Sequence, residues 1–439
     1  MLTVMNLKAR EVLDSLGRPT VEVEVAASNG EVGWAIVPSG ASMGRHEAIE
    51  LRDTDSRRHG GRGVRRAVEN VAREIAPALR GMDLEDQAAI DAKLIALDGT
   101  PNKSRLGANA VLGASLAVAR AAAVARGEEL YVHLNRLWRQ RLDPGESAVP
   151  TLPMPMVTMI SGGRHAGAQL DFQDFLSIPV GASTYTEALE MTTALYRAVG
   201  AILKAKGLEA DLVGDEGGYG PHLRTNAQAV DLLLEAVLAC GWEPGRDVAI
   251  ALDIAASHFH DPETGRYRLT TAGDDELDSA GMAAMLVHWA NLYPIVSIED
   301  GLAEDDWGGW VALTARLGER IQLIGDDLFT TRVERLREGI HRRAANAILI
   351  KPNQVGTLTE TFDTLLLARR HGYRTIISAR LGETEDPTIA DLAVATAAGQ
   401  IKIGSVARSE RLVKYNRLLR IEERLGPDAA FVGRAALGL

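Results

Sequence analysis

Tyr293-Pro-Ile-Val-Ser-Ile-Glu-Asp300, together with Ile321-Gln-Leu-Ile-Gly-Asp-Asp327 and Ala347-Ile-Leu-Ile-Lys-Pro-Asn353, decides the fold. Each segment is a short apolar run that stops at charged residues. Continuous runs of this kind read as strands buried on both faces, as in a parallel sheet. The intervals between them hold one helix and two loops. A repeat of about 30 residues suits a (β/α)8 barrel, whose chemistry gathers where the strands end. Acid, acid and lysine at successive strand ends therefore form the first candidate site.

The alternation extends in both directions. Upstream, Met154 to Met159 leads to Ser161-Gly-Gly-Arg-His165, and Phe172 to Pro179 carries Gln173 and Asp174. A helix over Tyr185 to Lys206 precedes Val213-Gly-Asp-Glu-Gly-Gly-Tyr219, and Val248-Ala-Ile-Ala-Leu252 ends at Asp253. Downstream come Thr375-Ile-Ile-Ser-Ala-Arg380, Gln400-Ile-Lys402 and an amphipathic helix from Glu410. Residues 3 to 37 differ: Val21-Glu-Val-Glu-Val25 has period two, and Asn29-Gly30 marks a hairpin. Gly63 to Arg126 follows a helical period. The expected organisation is α/β overall: an α+β cap over 1–140, a linker over 141–150 and a (β/α)8 barrel over 151–439.

The chain has 439 residues, and its 46% hydrophobic content supports a large core in more than one domain. A formal net charge of −11 argues against nucleic acid or an anionic membrane as partner, though not against a small anionic substrate. The single cysteine, Cys240, cannot form an intramolecular disulfide and fits a reducing compartment. No signal-peptide pattern opens the sequence, so a cytoplasmic protein is expected. Ala108 to Ala125 is the most membrane-like run, but Arg120 interrupts it and alanine dominates, as in a packed core helix.

Asp253, Glu299 and Asp326 come from neighbouring strand ends, and converging oxygen ligands suit Mg²⁺. A single strand-end acid is usually a cap or ion-pair partner, but three in consecutive units favour a metal site. Lys351 and Lys402 follow apolar runs. They either neutralise the acids or act chemically, and a lysine beside a metal-bound carboxylate suits removal of a proton next to a carboxylate. Glu216, within Gly214-Asp-Glu-Gly-Gly218, is either a helix-capping acid or one that protonates a leaving hydroxide. Pro38-Ser-Gly-Ala-Ser-Met-Gly-Arg45 is either a connection or a mobile active-site loop.

Taken together, these segments resemble enolase over essentially the whole chain. The resemblance rests on Pro38-Ser-Gly-Ala-Ser42, Gly214-Asp-Glu-Gly-Gly-Tyr219, Ser297-Ile-Glu-Asp300, Gly325-Asp-Asp-Leu328, Leu349-Ile-Lys-Pro-Asn-Gln354 and Gly382-Glu-Thr-Glu-Asp386. It implies an α+β cap on a modified eight-stranded barrel. By resemblance, Asp253, Glu299 and Asp326 hold one Mg²⁺, and Ser42 helps hold a second. Lys351 is then the base that takes the C2 proton, Glu216 the acid at the C3 hydroxyl and Lys402 the partner of the substrate carboxylate. Arg380 meets the phosphate, His165 and Gln173 match active-site positions, and Arg10 and Glu410 resemble a pair that bridges a homodimer.

Several positions depart from the family pattern. Ser-His-Arg-Ser is here Ser378-Ala379-Arg380-Leu381, so a histidine and a phosphate-contacting serine are missing. The glutamate after Gln173 is Asp174, still counted among the catalytic candidates. The acid before His165 is Arg164, the arginine of Asp-Ser-Arg-Gly is Leu16, and the loop threonine is Met43. The carbon-acid half of the site is kept while the part that reads phosphorus is rewritten. The expected activity is a divergent hydro-lyase acting on a phosphorylated or phosphonylated hydroxy acid. One version is a carboxyphosphonoenolpyruvate synthase of phosphonate or phosphinate biosynthesis. An ordinary 2-phosphoglycerate enolase and an inactive paralogue are the alternatives.

Overall fold

Three antiparallel strands, β1 (Val4–Leu13), β2 (Pro19–Ala27) and β3 (Val32–Ile36), form a meander at the N-terminus. Along β2 the period-two pattern buries Val21, Val23 and Val25 and turns Glu22 and Glu24 outward. Gly30 closes the hairpin at φ +91°, a conformation that side chains other than glycine avoid. The computed structural model describes residues 1–40, 44–271 and 275–438.

The helix Ala108–Ala125 lies directly on this sheet. It packs so closely that a Cβ on Gly33 would stand 2.1 Å from the backbone nitrogen of Ala121. Small residues all round the helix make that approach possible. Its membrane-like composition therefore reflects a helix enclosed by protein.

From Met154 onward eight strands close a barrel. They are β4 (Met154–Ser161), β5 (Asp174–Ile178), β6 (Ala249–Asp253), β7 (Ile295–Glu299), β8 (Gln322–Gly325), β9 (Ala347–Ile350), β10 (Arg374–Ser378) and β11 (Gly399–Gly404). Six of the eight pairings are parallel, but β5 runs antiparallel to both β4 and β6. The three runs that opened the sequence reading do pair in parallel, and the modified eight-stranded barrel expected is found, with its departure from an all-parallel order at β5. Residues 162–173 connect β4 to β5 without a crossover α-helix, and such a connection reverses the chain. The reversal has a chemical consequence. The first residues of β5 lie at the same mouth as the last residues of the other strands, so Asp174 pairs with both Ser161 and Asp253.

The cap grips the barrel beside β10. Ser39 and Gly382 exchange backbone hydrogen bonds of 2.7 and 3.1 Å, the Ser15 N–H donates to the Glu383 carbonyl, and Arg120 pairs with Asp386 at 2.7 Å. A Cβ on Gly382 would come within 2.2 Å of Ser39 Oγ. The loop that carries Ala379, Arg380 and Leu381 is thus clamped between the two parts.

Candidate active site at the barrel mouth

Parallel register aligns Glu299 at the end of β7 with Asp253 at the end of β6. The Lys402 ammonium, from β11, donates to Asp253 Oδ2 and Glu299 Oε2, both at 2.7 Å. Lys351, just past β9, donates to Asp326 Oδ2 at 2.5 Å. Gln354 and Gln173 complete the pairs by donating to Asp326 Oδ1 at 3.0 Å and to Asp253 Oδ2 at 3.1 Å. Burial strengthens each of these charge-assisted bonds.

The acids outnumber their cations. Burial and the neighbouring Asp253 push Glu299 up to about 8, against the opposing pull of Lys402. Two acids that sequence reasoning did not single out add to the excess. Burial and the facing Asp327 hold Asp300 well above the carboxylate range, and burial with Asp326 takes Asp327 to about 8. Asp300 adopts a left-handed φ of +42°, and its carboxylate accepts the N–H groups of Asp326 and Asp327 at 3.0 and 2.8 Å. The doublets Glu299-Asp300 and Asp326-Asp327 carried the signal. Strict alternation along a strand would have sent the second acid of each doublet away from the mouth.

Beside this acid-lysine floor stand His165, Asp174 and Glu216, whose ligand atoms all lie within 4.8 Å of one another. Asp174 is completely buried: Oδ1 accepts from Ser161 Oγ at 2.9 Å, and Oδ2 meets His165 Nδ1 at 2.7 Å. Both oxygens are occupied, and His165 rather than Asp174 lines the cleft. Burial alone would depress His165, but Asp174 and then Glu216 raise it to about 9. Glu216 hangs on the edge of β4 through the Tyr219 backbone, and its carbonyl accepts from the Ser405 N–H at 2.8 Å.

The third wall is Ala379, Arg380 and Leu381 after β10. Arg380 donates to both oxygens of Glu47, at 2.8 and 3.2 Å, and to Asn353 Oδ1 at 3.0 Å. Glu47 comes from a cap loop whose local sequence gave no sign of this role. From behind, buried Arg411 donates to the carbonyls of Arg380 and Leu381, each at 2.7 Å, and so fixes the direction of the turn. The walls enclose a narrow cleft lined by His165, Gln173, Glu216, His258, Lys351, Ala379, Leu381 and Lys402, among others. The convergence of polar groups suits a small polar ligand. Ser42 lies outside the described residues.

A family model for the enolase C-terminal TIM barrel domain matches residues 149–438, and one for the enolase N-terminal domain matches residues 4–134. The chain belongs to the enolase family. Its enolase-type barrel supports hydro-lyase chemistry in general, and its mouth holds acidic groups that could bind a metal ion. Asp326 clusters with Asp300 and Asp327, their carboxylates all within 4.8 Å of one another. The surplus of buried carboxylate over cation, with oxygen the only donor atom, fits a hard dication such as Mg²⁺.

Proposed function

We propose that this enolase-family chain is a hydro-lyase that removes the C2 proton of a 2-phosphoglycerate-like ester and expels the C3 hydroxyl. The observation that carries this reading is one cleft in which paired Lys351–Asp326 and Lys402–Asp253–Glu299 face the apolar side chains of Ala379 and Leu381. Lys351, which Asp326 holds in its ammonium form here, first releases its own proton to solvent and then takes the C2 proton at Nζ, while Lys402 meets the substrate carboxylate. Glu216 delivers a proton to the departing hydroxyl, with Gln173 and His165 shaping the wall beside it. Arg380 meets the phosphoryl end. Asp253, Glu299 and Asp326 would hold Mg²⁺, with Ser42 offering a further oxygen to a second ion; when bound, the metal stabilises the dianionic enolate.

The methyl of Ala379 and the isobutyl group of Leu381 cannot donate hydrogen bonds. Each hydrogen bond lost to a charged phosphoryl oxygen costs roughly 1.5–3 kcal/mol, so 2-phosphoglycerate should be a poor substrate. The specific reading is a carboxyphosphonoenolpyruvate synthase, acting in phosphonate or phosphinate biosynthesis on an ester whose phosphorus bears a carboxylate. A cytoplasmic homodimer is part of the same proposal. The intact lysines, Glu216 and strand-end acids argue against an inactive paralogue.

The test is turnover of 2-phosphoglycerate with Mg²⁺, followed by enolpyruvate absorbance and by C2 exchange in deuterated water. The wild-type chain should be slow, and Ala379→His with Leu381→Ser should raise kcat/KM at least about tenfold. Wild-type turnover at the level of an ordinary enolase would overturn the altered-substrate reading.

A further inference from the structure

Outside the catalytic mouth, a groove of about 1060 Å³ runs between the cap and the barrel. Its cap side comes from residues 45–49 and 101–103. Its barrel side comes from the start of the helix Val333–Arg342 and from the helix Leu358–Arg370, where Asp363, Leu366, Leu367 and Arg370 share one face. Ile49, Pro101, Val355, Leu366 and Leu367 give the groove an apolar wall, and Ile49 is exposed within it. Most charges around the groove are matched. Lys103 pairs with Glu360, Asp363 with Arg141, Glu47 with Arg380, Arg335 with Asp305 and Arg370 with Asp143. Arg332 and Arg337 also line the groove and have no ion-pair partner among the described residues. Arg332 Nε is buried there without a hydrogen bond, at a helix start that no side chain caps. The acid among them, Glu334, is exposed.

The free cations are thus gathered within two turns of one helix start, whereas the cations elsewhere along the groove are engaged by acids. A ligand with one dense anionic group and an uncharged body matches that distribution. An acidic peptide, with its carboxylates spaced along a chain, does not. We infer that the groove is a binding site for an organic phosphate monoester. Arg332 and Arg337 take the phosphate, whose oxygens suit the planar guanidinium fork, and the apolar wall takes the organic body. The amide dipoles of the uncapped helix start add to the same attraction. The groove has room for a body the size of a nucleoside. This site stands apart from the reaction proposed above and meets it at one residue. Glu47 lines the groove while its carboxylate accepts from Arg380 at 2.8 and 3.2 Å. A ligand seated there rests against the loop that holds the phosphoryl-binding arginine.

Calorimetric titration of the Mg²⁺-loaded chain with AMP, inorganic phosphate and adenosine tests this. AMP should bind more tightly than either of its parts. Arg332→Gln and Arg337→Gln should each weaken AMP about tenfold, as loss of a charged hydrogen bond implies. Glu334→Gln removes the opposing charge and should tighten AMP about two- to fivefold. None of these three residues lines the catalytic cleft, so AMP affinity unmoved by all three variants would assign the binding to the mouth and overturn the inference. Weaker AMP binding by Glu334→Gln, inorganic phosphate binding as tightly as AMP, or no AMP binding at all would overturn it too. So would displacement of AMP by a hexaglutamate peptide at equal concentration. Arg337→Gln and Glu334→Gln alter exposed side chains, so the comparison stands even where Arg332→Gln fails to fold.

Discussion

Asp174 shows how a single methylene redistributes roles at the mouth. Its short side chain, anchored in β5 between Ser161 and His165, spends both oxygens on them and leaves none directed into the cleft. The acid therefore acts through His165, holding the ring that does line the cleft. A glutamate here would carry its carboxylate one methylene further, into space already filled by the imidazole. Asp174→Glu should therefore lower stability by about 1–3 kcal/mol, through overpacking of a completely buried site. Denaturant melts of wild type and variant check this, and an unchanged midpoint would mean that the wall has room to yield. Arg380 illustrates the complementary case. Its resemblance to a phosphate ligand was legible from the residues around it. Its partner Glu47 was not, because a loop contact between distant segments leaves no periodic trace in sequence.

At the scale of elements, strand-end chemistry was the most legible feature. Runs such as Ile295–Ile298 and Ala347–Ile350 are apolar because both faces are buried, and the residues just after them have nowhere to go but the mouth. The reversal of β5 was hidden, since an apolar strand reads the same in either direction. The enclosure of Ala108–Ala125 was partly legible in its alanines, but contact distances such as that at Gly33 belong to the folded state alone. The neighbouring helix Leu130–Arg139 holds a further property. His133 is fully buried there, with Nδ1 2.9 Å from Arg136 Nη2 and Nε2 without a partner among the described residues. Burial, reinforced by Arg136, lowers its value from 6.5 to about 4. Below pH about 6.5 the unfolded chain binds a proton that the folded chain refuses until about pH 4. This residue therefore reduces stability as pH falls through that window, by up to about 3 kcal/mol, and has no further effect below it. Thermal melts of wild type and His133→Leu across pH 4 to 7 should converge in relative stability toward the upper end. A constant difference over the whole range would show that the imidazole is protonated as readily in the folded state as in the unfolded chain.

For the whole molecule, the remaining question is what the cap presents outward once its inner face has been covered by Ala108–Ala125. On the open side of the sheet, Arg10 of β1 is about half exposed and is shared between Glu22 and Glu24 of β2. On the C-terminal helix Ser409–Leu425, Glu410 Oε1 is buried with no hydrogen-bond partner among the described residues, and Arg411 Nε stands 3.6 Å from it. One arginine with two acids and one acid short of a donor make an arrangement that a two-fold assembly can balance. In an isologous dimer each copy offers its Arg10 to the partner's glutamate and receives the same in return, so a single contact pattern is satisfied twice. The proposed homodimer should sediment at twice 47.1 kDa at micromolar concentration. Arg10→Glu, which sets like charges against Glu22 and Glu24 and against the partner's Glu410, should shift the equilibrium toward monomer by at least about tenfold in Kd. Because Arg10 is remote from the cleft residues in the fold, C2 exchange per chain should stay within about twofold. Sedimentation of the wild-type chain as a monomer, or an Arg10→Glu dimer of undiminished affinity, would remove this pair from the interface.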